Sequence, residues 1–206
     1  MKDINKKTAI SLGWDCGPSG HAIKNGLKPT KAGGYKTCPF DKMVTNYKGL
    51  IECITDDFKY FCDPSYLKVV TILDKYNYIN FPLNSNILVN TKYNFIMNHE
   101  SSGHGTLWQI ENWPKGQFHY EMDNFNEFIK RYETRIENFK YYINNGYEIT
   151  FCLSKVNNTI ESNIDLETII KTKYPNLKYK FELIEETRKE IFREGLFFAN
   201  NIYKYV

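Results

Sequence analysis

Residues 124–154 read NFNEFIKRYETRIENFKYYINNGYEITFCLS. Phe125, Phe128, Ile129, Tyr132, Ile136, Phe139 and Ile143 recur every three or four positions, which makes one stripe of a helix apolar. Asp123 or Asn124 is placed to cap its amino end, and Gly146 to stop it near Asn144. Beyond the glycine the pattern changes. Residues 147–153 are aromatic and β-branched and predict a strand, 164–173 a helix capped near Asn163 and stopped by Pro175, and 177–184 a further strand. Strands alternating with helices of this length pair in parallel, because the helix carries the chain back across the sheet. The expected fold is α/β, a central mixed sheet with helices on both faces. At 206 residues the chain has enough length to bury a core as a single compact domain. Residues 8–120 then form the half that bears the site, and 121–206 the helix-strand-helix-strand half.

Working towards the amino end, residues 8–41 read TAISLGWDCGPSGHAIKNGLKPTKAGGYKTCPFD. The run Ala9, Ile10, Ser11 and Leu12 predicts a buried strand that stops at Gly13. Ser19 is placed as the N-cap of a short helix through His21, Ala22 and Ile23, ended by Gly26. Cys16 therefore falls on a turn between a strand end and a helix start. The helix dipole and exposed amides there favour a thiolate over a thiol and can hold an oxyanion during acyl transfer. Cys16 is the candidate nucleophile, against the plain reading of a small residue buried in a turn.

Between these two segments, Pro29, Gly33 and Gly34 mark a loop, and Cys38-Pro39-Phe40-Asp41 a turn entering a helix over about 44–61, closed by Pro64. Residues 66–73 suit either a strand or a short helix. Pro82, Asn84 and Asn86 break the pattern over 76–89. Residues 93–98 alternate and predict a strand with His99 at its end. The long loop over 100–116 holds His104, Trp108 and Trp113, and loops of that length are more often functional than idle. The last residues, 195–206, are expected to be partly extended.

The formal charge of +3 is too small to argue for nucleic acid, and lysines interleaved with acids read as a solvated surface. Aromatic residues make up 16% of the chain, which suits a dense core better than a sugar-stacking surface. Five cysteines with no C-x-x-C pair argue against a disulfide framework and for a reducing, intracellular setting. No stretch reads as a signal peptide or a membrane span. His99 and His104 with scattered cysteines lack the ligand spacing of a zinc site, and no metal or tightly bound cofactor is expected.

Four blocks carry a resemblance: SLGWDC at residues 11–16, PFD at 39–41, FIMNH at 95–99 and YETRIENF at 132–139. Together they resemble a papain-like cysteine peptidase family of unknown function, known from bacteria and giant viruses, over about residues 9–155. The sequence departs from that family at Lys42, where an aromatic residue usually follows P-F-D. The resemblance implies a Cys-His enzyme, papain-like at most in the arrangement of its site. It also implies an association with polysaccharide-building enzymes and, for a viral member, the host cytoplasm.

A thiol nucleophile needs a base, and histidine is the usual one. His99 is the first choice because it ends a strand and matches a family block; His104 follows, then His21, which lies near Cys16, and His119. Asp41 is the first candidate to orient the imidazole, with N-capping of the following helix as its equal alternative; Asp15, Asn98 and Glu100 are also near. Arg131 and Arg135 share one face of the long helix and suit a phosphate or pyrophosphate, unless they pair with Glu127 and other acids of that helix. The reading is an acyl-transfer enzyme in which Cys16 forms a thioester that an acceptor resolves. Water as acceptor makes it a peptidase or amidase. An amine makes it an N-acyltransferase, the favoured form being transfer to an amino sugar or nucleotide-sugar with acyl-CoA as co-substrate. Substrate contacts are assigned to His21, His104, Trp108, Arg131 and Arg135. The partners are then a small-molecule acyl donor and an amine or sugar acceptor, with neither nucleic acid nor membrane. A reading of a different class is a binding module in which Trp108 and Trp113 stack a glycan or a partner peptide.

Overall fold

A computed structural model describes residues 6–13, 15–72, 86–100, 119–154, 161–184 and 203–205. Within them the strands are β1 (Lys7–Ser11), β2 (Leu67–Ile72), β3 (Asn86–Asn90), β4 (Phe95–Ile96), β5 (Glu148–Ser154), β6 (Lys178–Ile184) and β7 (Tyr203–Tyr205). The helices are α1 (Gly17–Lys24), α2 (Tyr47–Thr55), α3 (Asn126–Asn144) and α4 (Glu161–Lys173). The α/β class and the parallel pairing follow the sequence. The strands nevertheless divide between two sheets: a parallel one ordered β1-β5-β6, and a second ordered β4-β3-β2-β7 whose neighbours are antiparallel.

The parallel sheet has period-two faces. Ala9 of β1 and Cys152 of β5 pack with Ala22 of α1 on one side. Ile10, Phe151 and Leu153 point to the other side, into the main core with Leu166 and Ile170 of α4. Helices thus cover both faces of this sheet. The same core takes Val89 of β3 and Ile96 of β4, so the two sheets share one apolar interior. Phe40 lies within it, fully buried, with ring centroids 5.8 Å from Phe58 and Phe95 and 6.4 Å from Phe139. No helix among the described residues is long and apolar enough to cross a membrane.

Several boundaries differ from expectation for identifiable reasons. α1 starts three residues early: Cys16 occupies the N-cap position with Pro18 in the first turn, where the ring's fixed φ suits a helix start, and Ser19 lies inside. α2 stops at Thr55 because Asp57 and Phe58 take left-handed φ values of 53° and 64°. Pro64 opens a short 3-10 turn instead of closing that helix. Residues 86–90, expected among turn residues, form β3, buried at every position. Asn94 at φ 61° cuts the expected 93–98 strand to Phe95–Ile96, so His99 sits in a 3-10 turn, Asn98–Glu100. α3 begins after Asn124 and Phe125, both left-handed, and Asp123 accepts from the Glu127 amide at 3.1 Å.

Candidate active site

Cys16 follows the carboxyl end of β1, the end of a parallel sheet at which α/β proteins usually place their chemistry. Gly13 shapes the approach. Its φ is +96°, and a Cβ there would stand 1.8 Å from Thr45 Oγ1. Thr45 Oγ1 donates to the Leu12 carbonyl at 3.0 Å, and the Ser154 amide to the Gly13 carbonyl at 3.3 Å. Val44, next to Thr45, exchanges both backbone hydrogen bonds with Ile96, at 2.8 and 2.9 Å. Two tethers therefore converge on residues 44 and 45: one from the strand leading to Cys16, the other from the strand leading to His99.

Of the five cysteines, Cys16 is the exposed one; Cys38, Cys53 and Cys152 are buried and Cys62 is half-buried. Burial, aided by Asp41, pushes the Cys38 thiol up, and burial does the same for Cys53. Cys62 is pushed up to about 12, by burial first and Glu133 second, and Cys152 to about 11, chiefly by burial. These four keep their protons at neutral pH. Asp15 Oδ1 accepts from the Gly17 amide at 2.6 Å, so the start of α1 already holds one carboxylate.

Among the described residues the contacts of Asp41 are with Lys28, Ser19 and the Cys38 amide and include no histidine. Its Oδ1 takes Lys28 Nζ at 2.6 Å and Ser19 Oγ at 3.1 Å, and its Oδ2 the Cys38 amide at 2.7 Å. The last contact is the capping alternative, closed on the 3-10 turn Pro39–Lys42. The first is a buried ion pair: the side chains of Lys28 and Asp41 are 1% and 3% exposed. Lys28 Nζ also donates to Ser19 Oγ at 2.8 Å and lies 4.1 Å from the centre of the Tyr35 ring. Burial and then the Asp41 charge hold the Tyr35 phenol well above its ordinary value. This cluster fastens the first turn of α1, and with it Cys16, to the P-F-D turn. Lys42, where the sequence leaves the family pattern, points to solvent.

Arg131 and Arg135 do not pair with Glu127. Both reach Glu100, the neighbour of His99: Arg131 Nη1 bonds Oε2, and Arg135 Nη2 stands 3.2 Å from Oε1. Tyr120 adds its hydroxyl to Oε2 at 2.7 Å and accepts from Arg131 at 2.9 Å. Burial first, and the Glu100 charge second, keep the Tyr120 phenol protonated far above its usual range. A carboxylate only 3% exposed, held by two guanidiniums and a phenol, ties the His99 turn to α3. Glu127 instead meets His119 Nε2 at 3.0 Å, and His21 Nε2 stands 3.5 Å from Glu182 of β6. His104, Trp108 and Trp113 lie outside the described residues.

Nothing in the sequence marks Lys28 or Tyr120, and Ser19 reads there as a helix cap, whereas it joins Lys28 to Asp41. One lysine among many carries no mark of burial, and Tyr120 lies just past the long loop, outside any periodic pattern.

Residues 7–187 match the family described as "Putative papain-like cysteine peptidase (DUF1796)". The chain belongs to this family. The match runs further than the blocks that first suggested it, taking in β1, α4 and β6. No curated protein and no solved structure matches the chain. The family's description is that of a cysteine-based enzyme, which directs attention to the one exposed thiol.

Proposed function

We propose that the protein is a cysteine-nucleophile acyl-transfer enzyme with Cys16 as nucleophile and His99 as its base. The observation that supports this best is the contrast among the cysteines: Cys16 alone is exposed, at the start of α1, while burial holds the others as thiols. In the reaction His99 takes the Cys16 proton, and Sγ attacks the acyl carbonyl. The tetrahedral oxyanion collapses and expels the leaving group, which receives the proton from the imidazolium. The resulting thioester is attacked by an acceptor, whose proton passes to His99, and Cys16 leaves as thiolate. Water as acceptor gives the peptidase or amidase form, in keeping with the family's description. An amine as acceptor gives the N-acyltransferase form, with an amino sugar or nucleotide-sugar accepting and acyl-CoA donating.

Alkylation of the folded protein with iodoacetamide across pH 5–9, read site by site by mass spectrometry, tests the nucleophile. Cys16 should label at least about tenfold faster than the other four, with a midpoint below the ordinary thiol value of about 8.5. His99→Ala should raise that midpoint. An activated acyl ester should add one acyl mass at Cys16, and an added amine or water alone then discharges it. If Cys16 labels no faster than denatured thiols, or the acyl mass settles elsewhere, the assignment is wrong.

A further inference from the structure

A second feature adjoins the His99 turn. Lys31, Thr37, Lys130, Arg131, Thr134 and Arg135 are among the residues lining an open groove of about 750 Å³ between α3 and the loop that follows α1. The two walls are tied by the Asn138 side-chain amide, which donates to the Thr37 carbonyl at 3.0 Å. Lys31, Lys130, Arg131 and Arg135 bring four positive charges to the lining. Among the described lining residues the one acid, Glu127, is engaged by His119.

The guanidiniums are only partly used. Glu100 takes one nitrogen of each, leaving most of their five donors apiece. Among the described residues Arg135 Nη1 is buried without a hydrogen-bond partner, and its guanidinium lies 4.4 Å from the centre of the Tyr132 ring. Arg131, by contrast, has 46% of its side chain exposed. Both arginines thus hold the carboxylate beside His99, and the exposed part of Arg131 borders a groove with two further cations, Lys31 and Lys130.

We propose that this groove binds the phosphoryl-bearing part of a substrate, best suited to a diphosphate. Forked guanidiniums and point-charge lysines meet the several oxygens of a diphosphate, whereas a single carboxylate offers two; the Thr134 hydroxyl already donates to the Lys130 carbonyl at 3.1 Å. Since the same arginines hold Glu100, an anion seated there lies one residue from the candidate base. The inference rests on the proposed acyl-transfer reading for its meaning as a substrate subsite, but binding is measured independently of it.

The test is isothermal titration of inorganic pyrophosphate into the full chain at fixed ionic strength, for wild type, Lys31→Gln/Lys130→Gln and Cys16→Ser. Both lysines are exposed and neither touches Glu100. Wild type should bind one pyrophosphate at millimolar or tighter affinity, and the double lysine variant about five- to tenfold more weakly. Cys16→Ser should bind as wild type does, so an inert Cys16 beside intact pyrophosphate binding sinks the acyl-transfer reading alone. Absence of binding, or binding indifferent to the lysines, overturns the groove. Succinate binding as well as pyrophosphate overturns the phosphoryl assignment.

Discussion

Replacing Asp41 by Asn removes the charge opposite Lys28 and leaves an ammonium with 1% of its side chain exposed. Lys28 would keep Ser19 Oγ at 2.8 Å and the Tyr35 ring at 4.1 Å, neither of which carries a full negative charge. The amide also has one oxygen where Asp41 uses two, so either the Cys38 amide or Lys28 and Ser19 lose their acceptor. Breaking a buried ion pair from one side costs about 3–5 kcal/mol. Against a typical total of about 5–15 kcal/mol, that is a large share of the stability. At a slope of about 2 kcal/mol per molar urea, the midpoint should fall by about 1.5–2.5 M. The assay is equilibrium urea unfolding at pH 7, followed by aromatic fluorescence. Lys28→Met/Asp41→Asn serves as the control. With no uncompensated charge left inside, the double variant should be more stable than Asp41→Asn despite carrying an extra substitution. A loss under about 1 kcal/mol for Asp41→Asn, or a double variant no better than the single one, would refute the view that this pair locks α1 to the P-F-D turn.

Two further outcomes are expected. Glu100→Gln leaves the mostly buried Arg135 without its anion, so it should lower the urea midpoint by the equivalent of about 2–4 kcal/mol and slow Cys16 alkylation by loosening the His99 turn; unchanged stability and labelling would dissociate Glu100 from the site. The second concerns alkali. Cys152 and Cys62 have folded values raised from 9.0 to about 11 and about 12, so the unfolded chain loses these protons first. Their stabilising contribution is whole below about pH 9 and disappears as pH rises through 11 to 12. Urea midpoints should therefore decline above pH 9 in wild type and less steeply in Cys152→Ala measured against its own pH 7 value; parallel curves would contradict the assignment.

Local patterning made much of this chain readable. The stripe of α3, the strand-helix-strand run through β6, and Cys16 between a strand and a helix are written in neighbouring residues, because periodicity and capping act over a few positions. Local patterning failed where distant segments compete. β3 reads as turn-rich, yet Asn86 and Asn90 fit a buried strand because Asn86 accepts from Thr71 and Asn90 donates to the Tyr60 and Phe61 carbonyls. The division into two sheets likewise depends on pairing between strands far apart in the chain, which no local pattern specifies.

The sequence alone determined that this is an α/β chain with a thiol at a helix start, since both follow from residue type and spacing. Only the tertiary structure decided what the charges do. Asp41 and Lys28, and Glu100 with Arg131 and Arg135, find each other across 13 to 35 positions of chain. Whether a carboxylate orients a histidine, caps a turn or neutralises a buried lysine depends on which cation the fold brings within about 3 Å of it, because an ion leaves water only where a partner already waits.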